Sequence, residues 1–378
     1  VNEPVYLDHN ATTPVAATVV ELMLRCLVEE YGNPSSAHPR GRRAAALVAA
    51  ARDSVAALVG AQAGEIIFTG CATEANNLAL LGVARALSDR RHLIVSAVEH
   101  PAVLEPARFL EQEGWALTVL PVDETGRVAP AEVAAALRPD TALVSIMHAS
   151  NEVGTLQPIA AIAAITRERG VLLHTDAAQS TGKIPVDVEA LGVDLLTLAG
   201  HKFCAPKGVG ALYIRSGTPI AGIQFGAGQE HGLRPGTENV PAIAGLGAAA
   251  RLARERLPDA GRSLSGPRDR LHRLLLAEIP GLTLNGHPDE RLPNTLHVSF
   301  PGVAGRDLLE EASADVVASV GSACHSEHDA VSGVLAAMGC DAANARGAVR
   351  LSTGWETTVE EIERAAKALS AAWRGLQS

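Results

Sequence analysis

The stretch "LAGHKFCAPKGVG", Leu198–Gly210, lies between two short apolar runs, Asp194–Leu198 before it and Ala211–Ile214 after it, that read as buried strands. It places a lysine, Lys202, in a connection studded with Gly and Pro. Lysines are rarely buried unless they are paired or take part in chemistry. Held in an apolar, kinked turn, the amine would have a lowered pKa and could act as a nucleophile or Schiff base. Pointing to water, it would be an ordinary loop charge. The stretch by itself leaves both readings open.

Working outward, strand-like and helix-like segments alternate. Strands are expected at Glu65–Gly70, His92–Ser96, Ala116–Pro121, Ala142–Met147, Val171–Asp176 and Asp194–Ala199. Helices are expected at Ala72–Ser88, Ala102–Glu113, Pro130–Leu137 and Ile159–Arg169. Such alternation calls for an α/β fold, a mostly parallel sheet covered by helices on both faces. Near Arg251–Arg268 the texture changes. A charged helix runs into the breaker-rich "PDAGRSLSGP", which reads as the passage into a smaller α+β domain. That domain is expected to hold a helix at Asp269–Ile279, a strand at Asn294–Phe300 and a closing helix at Val359–Leu376. The expected division is 16–255 for the large domain, with 1–15 and 256–378 forming the small one.

Composition narrows the function. The 378 residues suffice for one large or two medium domains, and the net charge is −10 with no long basic stripe, which argues against a nucleic-acid surface. No apolar run is long enough to span a membrane. "VNEPVYLDHN" has no basic segment followed by an apolar one, so no signal peptide is expected. The five cysteines, Cys26, Cys71, Cys204, Cys324 and Cys340, are scattered and odd in number. They suit free thiols in a reducing cytoplasm.

In an open parallel sheet, ligands bind outside the carboxyl ends of the strands. There the chain delivers Gly70 for a tight turn with Ala72 and Thr73 opening a helix, then His100, Asn151, Asp176 with Gln179, and His201 with Lys202. Taken singly, each has a plain alternative: Thr73 or Asp176 as a helix cap, His100 as a surface imidazole, Asn151 as a turn former. Together they match the demands of pyridoxal phosphate. Lys202 is the Schiff-base residue, Asp176 the partner of the pyridine nitrogen and the helix N-terminus the phosphate cradle. Gln179 lies towards the ring hydroxyl and His100 over the ring face.

With these residues in place, the segments "YLDHNATTP", "YGNPSSAH", "TEANNLAL", "EHPAV", "NEVGTLQPI", "TDAAQSTGKIPVDV", "GHKFCAPKGVGALY", "RPGTEN", "GSACHS" and "RGAVRLSTG" resemble the cysteine desulfurases and selenocysteine lyases, in order, from Tyr6 to Gly354. The resemblance implies a homodimeric, pyridoxal-phosphate-dependent transferase of fold-type I, with a mostly parallel seven-stranded sheet. It implies that Thr237 reaches the neighbouring subunit's cofactor phosphate and that Arg350 holds the substrate carboxylate, with Asn151 near it. A guanidinium fork suits that bidentate task.

The resemblance also makes Cys324 the nucleophile. A thiolate there would take the sulfur of L-cysteine as a persulfide, release alanine, and pass the sulfur to an acceptor protein or thiol. Lys202 would move the α-proton, and His100 protons at the cofactor and the substrate thiol. Cys324, His325 and His328 also have metal-like spacing, but no fourth ligand stands nearby, so no metal is expected. Two positions depart from the family pattern. Ala199 stands where a Ser often meets the phosphate, and Cys71 where a Gly or Ala is usual. "AGHK" and "GSACHSEH" lean towards the selenocysteine lyases, which keeps L-selenocysteine as the alternative substrate. A pyridoxal-phosphate aminotransferase is the more distant alternative, and it would not need Cys324.

Overall fold

A computed structural model of the chain describes residues 3–87, 89–321 and 332–377. The strands are β1 (Val5–Tyr6), β2 (Ile66–Thr69), β3 (His92–Ser96), β4 (Ala116–Leu120), β5 (Thr141–Ser145), β6 (Leu172–Asp176), β7 (Leu195–Ala199), β8 (Gly210–Ile214), β9 (Thr283–Leu284), β10 (Thr295–Ser299), β11 (Val316–Val317) and β12 (Ala348–Ser352). Seven of them form one sheet in the order β2-β8-β7-β6-β5-β3-β4.

Every neighbour pair in that sheet is parallel except the two that involve β8. Two antiparallel steps restore the direction, so β2 runs the same way as β3 to β7. The ends of β2, β3, β5, β6 and β7 therefore open on one edge of the sheet, which is where a ligand site is expected.

The sheet is apolar on both faces because both are covered. In β2, Ile66 and Phe68 enter one core and Ile67 the other, as the two-residue repeat of a strand requires. The first core is closed by α1 (Ala17–Val28), α2 (Pro39–Val59) and the helix Val240–Arg256. The second is closed by α3 (Ala72–Ala86) and α4 (Pro101–Gln112). Each fully buried Leu, Ile or Val here contributes about 1.5–3 kcal/mol. A separate core packs β9, β10 and β12 under the helices Ser265–Glu278 and Val359–Gln377, and Val5 and Leu7 from the N-terminus join it.

The stretch around "PDAGRSLSGP" is helical. Helix Val240–Arg256 continues through the turn Leu257–Asp259 and the short helix Ala260–Ser263 into Ser265–Glu278. Pro258 and Pro267 each fall in a first helical turn, where no intrahelical acceptor awaits the missing N–H, so neither breaks the run.

Candidate active site

The opening question about Lys202 has a geometric answer. β7 ends at Ala199 and runs into a single tight turn, Gly200–Lys202. The chain then reverses through Cys204, whose φ of 68° is unusual for a residue with a side chain. The Cys204 N–H is held by the Thr13 hydroxyl at 2.8 Å. The turn sends Lys202 inwards. Its amine donates to the main-chain oxygens of Asn10 and, at 2.9 Å, Ala11.

Lys202 borders a cavity of about 270 Å³ at the carboxyl edge of the sheet. Around the same cavity stand Ala72, Thr73, His100, Asn151, Asp176, Gln179, His201 and Arg350. Thus nine of the residues named from sequence share one space. Thr237 does not: it is exposed and lines a surface depression with Tyr31 and Asn33. Cys324 lies outside the described residues. A larger cavity of about 420 Å³ shares Lys202, but neither Asp176 nor the start of α3 borders it.

At one side of the cavity, α3 begins without any side-chain cap, its N-cap Cys71 being in extended conformation. The first-turn N–H groups and the positive end of the helix dipole suit an anion. Gly210 permits this placement: a Cβ there would stand 2.9 Å from the Cys71 carbonyl carbon and 3.1 Å from the Ala72 nitrogen. Gly70 serves differently from the sequence expectation. Its φ is not positive. Instead its N–H donates to Glu74 at 2.6 Å, and a Cβ would meet that carboxylate at 2.7 Å. Close approach of the Glu74 carboxylate, not a left-handed turn, favours the glycine.

Asp176 is the last residue of β6 and is buried. One carboxylate oxygen accepts from Asn76 Nδ2 at 2.7 Å and the other from the Ala178 N–H at 2.9 Å. His100 caps α4, accepting the Ala102 N–H at Nδ1 over 3.0 Å. Burial lowers the His100 pKa, and the nearby Lys202 charge adds to this against the opposing pull of Asp176. A neutral ring that accepts at Nδ1 carries its proton on Nε2. Burial, with Lys202 next, brings His201 down to about 4, so it too is a neutral donor or acceptor rather than a cation.

Arg350 sits in β12 opposite His297 and is 2 % exposed. It pairs with Asp8 at 2.8 Å and donates to the Asn151 main-chain oxygen at 2.9 Å. Its Nε has no partner among the described residues. A buried guanidinium at a cavity wall suits a carboxylate ligand.

Several site residues were not singled out from sequence. Asn76 is one; its spacing on α3 reads as ordinary helix face. Glu99, next to His100, is another. Both its oxygens accept the Met147 N–H, at 2.9 and 3.1 Å, which ties the end of β3 to the segment after β5. Burial pushes the Glu99 carboxyl from the ordinary 4.5 up to about 8. Between those values the folded chain keeps a proton that the unfolded chain has lost. The stability from this group is therefore full below pH 4.5 and lost as pH rises through 8. Glu99→Gln should remove that slope. In urea unfolding at pH 5 and pH 8, the variant is expected to gain on the wild type at the higher pH, and an unchanged difference would contradict the assignment.

An amine, a buried carboxylate and an uncapped helix end around one cavity form a donor set for a flat cationic heterocycle bearing an aldehyde and a phosphate. The set fits pyridoxal phosphate as expected from sequence. The class-V aminotransferase family pattern matches residues 5–365. The chain is 46% identical over 365 residues to the cysteine desulfurase IscS of Methanosarcina thermophila, covering 96% of this chain and 90% of that protein. It is 47% identical over 367 residues to the cysteine desulfurase IscS of Anaeromyxobacter dehalogenans, with 96% and 90% covered. The chain belongs to the cysteine desulfurases of the class-V aminotransferase family. Among solved structures, a NifS-like protein superimposes with a TM-score of 0.91 at 40% identity, covering 97% of this chain and 98% of that one. SspA in complex with cysteine superimposes with a TM-score of 0.83 at 37% identity, covering 93% and 98%. These likenesses place this desulfurase in fold-type I, with its seven-stranded sheet as described.

Proposed function

We propose that this cysteine desulfurase converts L-cysteine to L-alanine with bound pyridoxal phosphate, and that the sulfur leaves on Cys324. The observation that carries the reading is the shared cavity of the Lys202 amine and the Asp176 carboxylate beside the uncapped start of α3. When bound, the cofactor supplies an electron sink for the substrate α-carbon. Lys202 would anchor it and move the α-proton. Asp176 would keep the ring nitrogen protonated. Ala72, Thr73 and His201 would hold the phosphate, and Gln179 would serve the ring hydroxyl. Arg350, with Asn151 beside it, would orient the substrate carboxylate. His100 would cover the ring and move protons at the substrate thiol.

In the sulfur step the Cys324 thiolate attacks the substrate sulfur. A sulfur–sulfur bond forms, the carbon–sulfur bond breaks, and its electron pair stays with the carbon that becomes the alanine methyl. The persulfide then passes to an acceptor protein or thiol. That SspA has been seen with cysteine supports this substrate class.

The same reading divides the chain into a large domain, 16–255, and a small one, 1–15 with 256–378, carrying the Cys324 segment. It also makes the protein a homodimer, in which Thr237 serves the partner's phosphate. Support comes from the exposure of Thr237 away from its own cavity and from the exposed apolar Val20, Leu24, Leu27 and Val28 on α1. The unpaired thiols of Cys26, Cys71, Cys204 and Cys340 suit a cytoplasmic setting. No described helix is long and apolar enough to cross a membrane.

Alanine release from L-cysteine and from L-selenocysteine, measured on wild type and Cys324→Ser, tests the reading. The variant should lose about 10³-fold or more with L-cysteine. Loss confined to L-cysteine, in an enzyme that prefers L-selenocysteine, would favour the lyase. No loss with either would reject Cys324 as the sulfur acceptor.

A further inference from the structure

Lys183 lies in the turn after β6, four residues beyond Gln179, and is 4 % exposed. Gly182 before it has a φ of 77°, and a Cβ there would meet the Phe203 side chain at 2.6 Å. The turn is thus packed against the Lys202 connection, and Lys183 is driven inwards. Its amine donates to Asn10 Oδ1 at 3.0 Å and to Gln179 Oε1 at 2.9 Å. Both acceptors are neutral amide oxygens.

These bonds close a ring of Lys183, Gln179 and Asn10, and Lys202 joins it at the Asn10 carbonyl. Gln179 Nε2 donates to the Asn10 main-chain oxygen at 2.9 Å, the same oxygen that receives the Lys202 amine. Asn10 is fully buried, and its other groups are fixed from the opposite side. Its Nδ2 donates to Thr295 Oγ1 at 2.8 Å, and its Oδ1 also accepts from Asn294 at 3.0 Å. An amide has one accepting end and one donating end. With Lys183 on the accepting end of Gln179, its NH₂ must face Asn10 and the cavity. One N–H is spent on Asn10, and the other remains for a ligand.

We propose that Lys183 is a positioning residue for the cofactor site: it fixes which end of the Gln179 amide faces the cavity and steadies the Asn10 carbonyl against which Lys202 rests. The charge state supports the geometry. Burial, and then the charges of Lys202 and Arg350, lower the Lys183 pKa well below the ordinary lysine range, with Cys204 opposing. A lowered pKa eases the burial of a second amine beside Lys202. The proposal rests on the reading that the cavity takes pyridoxal phosphate.

The test uses the cofactor-loaded protein as wild type, Lys183→Met, Gln179→Ala and the double variant. The readouts are the visible absorption of the bound cofactor and the rate of its loss on dialysis. Lys183→Met should lose cofactor about tenfold faster than wild type, the scale of one buried hydrogen bond. Its absorption band should move to the position given by Gln179→Ala. The double variant should be no worse than Gln179→Ala alone, because one residue acts through the other. Wild-type absorption and retention in Lys183→Met, or effects that add in full, would overturn the proposal. A wild type with no visible band would instead sink the cofactor reading beneath it. Should Lys183→Met not fold, Lys183→Gln keeps a polar head in the turn but is too short for both bonds, and is read in the same way.

Discussion

Lys202→Ala should lower alanine release from L-cysteine by about 10⁴-fold, because the amine is proposed both to anchor the cofactor and to move the α-proton. The loss should fall on kcat. Arg350, Asn151 and the start of α3 are untouched by the change, so the groups proposed to hold substrate and phosphate stay in place. The fold should survive. The amine donates to two main-chain oxygens, and the Asn10 oxygen keeps its bond from Gln179. A thermal melt near that of the wild type, with alanine release lost, is the expected pair of results. A variant within tenfold of wild type would mean that another group performs the proton transfer.

Asp176→Asn carries the second large effect. The substitution keeps the size of the side chain and removes its charge. The bond from the Ala178 N–H survives through the remaining oxygen. The bond from Asn76 does not, since two NH₂ groups would then face each other. Asn76 has a remedy, because its Oδ1 is buried and unpartnered, and a flip of its amide would present that oxygen. The fold therefore has little to lose. What disappears is the negative charge proposed to hold a proton on the ring nitrogen. Removing one preorganised electrostatic partner from a buried site costs about 10²–10³ in kcat. Alanine release should fall by that factor while cofactor content stays near one per chain. Equal losses of cofactor and activity would make Asp176 a binding residue rather than the tuner of the ring.

The site was legible in sequence where its residues follow strands. His92–Ser96 could be read to the residue because an apolar run stands between charges and the turn before Pro101. His100, Asp176 and Lys202 follow from the rule that sheet ligands gather at strand ends. The single reversed strand, β8, has no such mark, since a buried strand reads the same in either direction. The Asn10 hub was invisible for another reason. Its partners Lys183 and Asn294 stand 173 and 284 positions away, and only folding brings an N-terminal loop, a turn of the large sheet and the start of β10 to one point. Asn76 looked like any polar residue on a helix. The left-handed Cys204 carries no warning, because cysteine is not a residue that favours that conformation. The helical course through Pro258 and Pro267 was not legible, because the effect of a proline depends on its position in the turn.

The amine that shares a cavity with Asp176 is open to direct chemical labelling. Protein loaded with pyridoxal phosphate would be reduced with borohydride, digested, and the modified peptide sequenced by mass spectrometry. The label should sit on Lys202, in the peptide that follows β7. A label on Lys183 or Lys207, or a cofactor that washes out after reduction, would contradict the assignment.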